Sequence, residues 1–141
     1  MSTFSFIHNG FIDGASRYTQ NLASITCVIY SPTDELLSSG GIYLGHATNN
    51  IVEYHAIIGL LTKAISLNIT QLIVNLDSQL VVFQLNRIYT ICDPILFRLY
   101  LRAHFLERSF EFIQDQHILR ESNQVSNSLS NYILDWHLAH I

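Results

Sequence analysis

The chain has 141 residues, 49% of them hydrophobic and 13% charged, which is the length and composition of one folded domain and excludes a disordered chain. A net charge of −4, with one lysine and six arginines, argues against a free-standing nucleic-acid binder, because such affinity comes largely from phosphate neutralisation. No apolar run approaches the ~20 residues of a membrane span, so no membrane partner is expected. The opening "MSTFSFIHNGFIDGA" lacks the charged start and apolar run of a secretory leader, and Cys27 and Cys92 lack metal spacing. An intracellular, reducing location is the expectation.

In chain order, "FSFIHNGFID" predicts a strand closed by a turn at "DGAS". "ASITCVIY" predicts a second strand, "SPTD" a turn, and "ELLSSGGIYLG" a third strand bent or bulged at Gly40–Gly41. A helix is predicted from Asn49–Asn50, good capping residues, to about Leu67. "TQLIVNL" then predicts a buried strand and "SQLVVFQLN" a helix. Pro94 suits the first turn of a further helix, "PILFRLYLRAHFLERS". "FEFIQDQHI" alternates as a strand, and "NQVSNSLSNYILDWHLAH" predicts a closing helix with an apolar stripe. The order is that of a mixed α/β sheet flanked by helices.

Within this order three acids are out of place. Glu53 lies on the stripe shared by Ile57, Leu60 and Ala64, so its carboxylate faces the core, where an uncompensated charge costs several kcal/mol. Asp13 in "GFIDGAS" and Asp77 in "QLIVNLDSQ" each end an apolar strand and precede small residues. Either one alone reads equally well as a strand-end acid exposed to water. Three converging carboxylates would repel unless cations lay between them, and hard oxygen ligands suit Mg²⁺ or Mn²⁺.

"DGAS", "ATNNIVEYHAIIGLL", "LDSQLVVFQL" and "HILRESNQVSNSLSN", in this order and spacing, resemble the ribonuclease H domain, in the archaeal-like or plant type also attached to reverse transcriptases. The resemblance covers nearly the whole chain, as one ribonuclease H-like domain over residues 1–141. It implies a five-stranded mixed sheet in the order βββαβαβα and a hydrolase that uses two Mg²⁺ ions, or Mn²⁺ as substitute, to cut the RNA strand of an RNA/DNA hybrid. It implies Asp13 as the ligand bridging both metals, with Glu53 and Asp77 as the other principal ligands. Thr48, Asn49 and Asn50 of "TNN", Ser78 and Gln79 of "DSQ", and Ser16 become substrate contacts. Asn49–Asn50 read equally as helix caps.

The chain also departs from that pattern. The fourth family carboxylate falls at Asn127 in "NQVSN", a neutral oxygen where a charge is usual, so the metal on the leaving-group side should bind more weakly. His117 stands where many members carry a mobile histidine that helps product leave, and it reads equally as a strand residue; Arg120 of "HILRE" is the alternative in this subtype. "RYTQN" replaces a glycine-proline-rich loop, and no basic protrusion interrupts 85–100. Arg98 and Arg102, one turn apart, read first as a solvated helix face and second as a modest substitute for that protrusion's basic grip on the DNA strand. A neighbouring reverse transcriptase domain is an expected partner. The rival expectation is a catalytically silent module that binds or supports a reverse transcriptase.

Overall fold

The computed structural model describes residues 6–17, 22–45, 49–76, 78–87 and 90–118, and of these only the backbone of 13–17, 22–25, 42–45 and 49. Its elements are β1 (His8–Arg17), β2 (Leu22–Tyr30), β3 (Leu36–Gly45), α1 (Asn49–Ser66), β4 (Gln71–Leu76), α2 (Gln79–Leu85), α3 (Pro94–Glu107) and β5 (Phe112–His117). They form a five-stranded sheet in the order β3-β2-β1-β4-β5. The β1–β2 and β2–β3 pairs are antiparallel, while β1–β4 and β4–β5 are parallel. This is the expected mixed α/β sheet, with two helices between β4 and β5. The predicted closing helix lies outside the described residues.

Local chemistry accounts for most boundaries. Ser31 organises the β2–β3 turn, its hydroxyl accepting from the backbone N–H groups of Thr33 and Glu35, and Asp34 takes a positive φ of 63°. α1 stops at a Schellman arrangement: Ile69 N–H donates to Ala64 O, Asn68 N–H donates to Ile65 O, and Asn68 sits in the left-handed region. Ser78 caps α2 by accepting from Val81 N–H. Asp93 caps α3, with Pro94 in its first turn.

Two local expectations are corrected. "DGAS" is no turn: β1 runs through it to Arg17 because β2 pairs with it residue for residue as far as Leu22. An Asp-Gly step is only a local preference, and continued pairing overrides it. Nor is there a bulge at Gly40–Gly41, which pair regularly with Cys27 and Thr26; the register shifts fall at Ala23/Ser24 and Ile29/Tyr30.

α1 lies across β1 and β2, and its Val52, Tyr54, Ala56, Ile57, Leu60, Leu61 and Ala64 are buried with Ile12, Ile29, Leu72, Val74 and Leu76 of the sheet. Helix and strand pack closely at Gly10, where a Cβ would meet Leu60 Cδ2 at 2.7 Å, so a side chain there would force Leu60 to shift. No helix among the described residues is long and apolar enough to cross a membrane.

Candidate active site at the carboxyl ends of the parallel strands

The parallel strands β1, β4 and β5 present their carboxyl ends along one edge, where open α/β sheets usually bind ligands. Two contacts set α1 in relation to β1. Leu60 lies over Gly10, and the Cys27 thiol donates to Ala56 O at 3.3 Å, with Cys27 the partner of Ile12 across β1–β2. Moving toward the start of α1 therefore means moving toward the end of β1. From Leu60 back to Glu53 is about 10 Å of helix, and from Gly10 on to Asp13 about 10 Å of strand. Glu53 thus stands level with Asp13 along the sheet.

Glu53 is buried, 4% exposed, between the fully buried Val52 and Tyr54. The inward carboxylate expected from the helical stripe is therefore observed. Asp13 pairs with Thr26 in the β1–β2 ladder, two residues beyond the last β1–β4 pair, Phe11 with Asn75. Asp77, the next residue after β4, lies outside the described residues, and so do Thr48, Arg120 and Asn127. Ser16 is placed by its backbone opposite Ala23, and Asn49 opens α1. Asn50 is half-buried beside Asn49, Ser78 is half-buried and caps α2 as an acceptor, leaving its O–H to donate, and Gln79 is exposed at the start of α2.

His117 ends β5 exposed and opposite Leu76, and Ile118 N–H donates to Leu76 O at 2.8 Å. It therefore stands at the carboxyl end of β4 and β5, the edge that β1 passes on reaching Asp13. Among the described residues no group of three His, Cys, Asp or Glu side chains is placed to hold a metal. Glu53 supplies a hard oxygen donor at this edge. The nearby thiol, Cys27, is pushed up to about 12 by burial and is no thiolate ligand. The donor chemistry fits a divalent oxygen-seeking cation.

A support beneath this edge escaped the sequence reading. Asn75, 2% exposed on β4, donates to Gly10 O on β1 at 2.9 Å and accepts from Gln116 Nε2 on β5 at 2.8 Å. One amide thereby ties the three parallel strands together two residues before Asp77. Its signal was a lone polar residue inside the apolar run "LIVNL".

Comparison with known proteins follows the same lines. A family model described as reverse transcriptase-like matches residues 11–133. The chain belongs to this ribonuclease H-like family. Ribonuclease HI of Halobacterium salinarum is 34% identical over 127 residues, covering 90% of this chain and 64% of that protein. The crystal structure of RNase H1 from that archaeon superposes with a TM-score of 0.88 at 33% identity, over 92% of this chain and 98% of the other. The N-terminal RNase H domain of a Mycobacterium tuberculosis protein gives 0.89 at 29% identity, over 96% and 99% of the two chains. LC11-RNase H1, solved in complex with an RNA/DNA hybrid, gives 0.86 at 26% identity, over 93% and 99%. The ribonuclease H-like chain thus spans about two-thirds of its halobacterial relative, and 34% of the bifunctional mycobacterial one.

Proposed function

We propose that this ribonuclease H-like chain is an endoribonuclease that hydrolyses the RNA strand of RNA/DNA hybrids with two divalent metal ions. The observation that carries the reading is the buried Glu53 standing level with Asp13 at the carboxyl edge of the parallel strands. Likeness to an RNase H1 solved on a hybrid supports the substrate class.

In this reading Asp13, Glu53 and Asp77 hold the ions, Asn127 is the weak fourth ligand, and Mg²⁺ is the natural metal with Mn²⁺ as substitute. The reading requires the β1–β4 register to continue two residues past Phe11–Asn75, which would set Asp77 level with Asp13. Ions held there would activate the attacking water and stabilise the leaving 3′ oxygen. The residues around them position the hybrid. Gln79, exposed at the start of α2, and Asn49 and Asn50, at the start of α1, meet its minor groove and 2′-hydroxyls, where amides read A-form-like RNA. Ser16, Thr48 and Ser78 contact its backbone. Exposed His117, or Arg120, assists product departure from the same edge.

The replacement of a carboxylate by Asn127 favours one second reading, a silent binding module of a reverse transcriptase. Cleavage of an end-labelled hybrid in Mg²⁺ and then Mn²⁺ separates the two. The nuclease reading expects cleavage that Asp13→Asn removes and that Asn127→Asp increases by about tenfold. No cleavage by either the native chain or Asn127→Asp would establish the silent module.

A further inference from the structure

The outer layer carries a surface that the nuclease reading leaves unused. α3 exposes four large apolar side chains: Ile95 at 57%, Phe97 at 45%, Leu101 at 47% and Phe105 at 69%. By helical geometry Leu101 and Phe105 share the centre of the outer face. Phe97 and Arg108 lie on one flank, Arg98, Arg102 and Ile95 on the other. Beside Phe97 opens a groove of about 250 Å³ lined by Gln84, Arg87, Thr90, Ile91, Phe97 and Tyr100. Contiguous apolar surface of this kind, rimmed by polar groups, marks an interaction site.

Its charge is opposite to that of the chain. Four of the seven Lys and Arg residues, Arg87, Arg98, Arg102 and Arg108, stand on α3 or at this groove, in a chain of net charge −4. The two acids of the 93–108 segment do not offset them. Asp93 Oδ1 accepts from Ile95 N–H and Leu96 N–H at the start of the helix, and Glu107 turns inward to Asp115. His104 stacks on Tyr100 and meets the Arg87 guanidinium at 3.0 Å. Burial, then the Arg102 charge, lowers the His55 imidazole on the neighbouring α1, so the positive charge of this side comes from its arginines.

We propose that the outer face of α3 docks an amphipathic helix of a partner protein, apolar along one stripe and carboxylate-bearing along its edges. Apolar residues at i, i+4 and i+8, as Phe97, Leu101 and Phe105 are, match the side-chain spacing of a second helix laid along them. The groove beside Phe97 takes an anchoring side chain, and Arg98, Arg102 and Arg108 meet the partner's carboxylates. A second copy of this chain is a poor occupant, because pairing α3 with itself sets arginines against arginines. Nucleic acid is a poor occupant too: its phosphates would satisfy the arginines and leave four large apolar side chains unmatched.

The probe is a fluorescent three-heptad helical peptide with Leu at a and d and Glu at e and g, titrated beside a twin carrying Lys in place of Glu. Expected is preferential binding of the acidic peptide, weakened by high salt and by about tenfold or more in Phe105→Ser. The pair Arg98→Glu with Arg102→Glu should shift preference to the lysine peptide. These residues are exposed, and circular dichroism of each variant checks that its helical content is kept. Equal affinity for both peptides, no binding of the acidic one, self-association through α3, or its displacement by RNA/DNA hybrid would each overturn the proposal.

Discussion

Glu53 and Asp115 are buried acids, Asp115 paired with the half-buried Glu107, and the molecule accommodates the two neighbourhoods in different ways. Glu107, at the end of α3, and Asp115, on β5, hydrogen bond through their carboxyls, which requires that one of them carry a proton. Among the described residues no N–H or O–H donor reaches Glu107 Oε1 or Asp115 Oδ1, so a shared proton stands in for a counter-charge. Glu53 instead lies one turn inside the start of α1, toward the edge where Asp13 and the parallel strands end. The first arrangement removes charge and is a packing solution. In the proposed nuclease the second would gather acids where cations can reach them, and that is how a site differs from a core. The same contrast separates the surface faces: amides and a histidine line the strand edge, while arginines and bare phenylalanines line α3.

The largest effect expected from this contrast is at Glu53. Glu53→Gln keeps the shape and removes the ligand charge, so hybrid cleavage should fall by about 10²–10³-fold. The nuclease reading also expects Mg²⁺ to raise the Tm of the native chain and not that of the variant, because binding to the folded state alone is what raises Tm. A Mg²⁺-dependent shift that survives the substitution would place the metal elsewhere and dissolve the distinction between the two neighbourhoods.

The next effect concerns what holds the strand edge in line. Asn75→Ala strips Gly10 O and Gln116 of a partner in a buried position, and such a loss costs about 1–3 kcal/mol. For a chain of this size the thermal midpoint should drop by roughly 3–10 °C. Cleavage should fall beyond the loss of folded protein, since in the proposed site misalignment of β1 against β4 would displace Asp13 from Asp77. A stable variant with unchanged cleavage would show that the strands align through their backbone ladder alone.

What the sequence made legible follows from the range of the forces involved. The "SPTD" turn, Pro94 in the first turn of α3 and the inward stripe of α1 are decided by residues within a few positions of one another, and all appear where the sequence puts them. "DGAS" was misread because a ladder with β2, formed by residues further along the chain, outvotes a two-residue turn signal. The Glu107–Asp115 contact was invisible for the same reason: only the packing of α3 on the sheet makes neighbours of a helix end and a strand centre. Glu53 was legible because helical periodicity alone exposes it. Its companion Asp77, together with Asn127, lies outside the described residues, so the complete ligand set rests on the sequence resemblance.

The smallest effect, and the one that tests the other half of the contrast, is the pH dependence of stability. Burial, followed by the hydrogen bond and charge of Asp115, pushes Glu107 up to about 10 from an ordinary 4.5. Burial raises Asp115 as well, against the lowering influence of Glu107 and His104. The folded chain therefore keeps a proton that the unfolded chain releases above its ordinary carboxylate range. Stability from the pair is fully present in acid, and declines as pH climbs from about 4.5 toward 10. Glu107→Gln supplies a permanent N–H donor to Asp115 without a proton to lose. It should flatten that decline, giving a Tm above the native one by about 2–4 °C near pH 8 and little difference near pH 5. An unchanged slope in thermal melts across that range would mean that the two carboxyls share no proton, and that both buried neighbourhoods keep their charge.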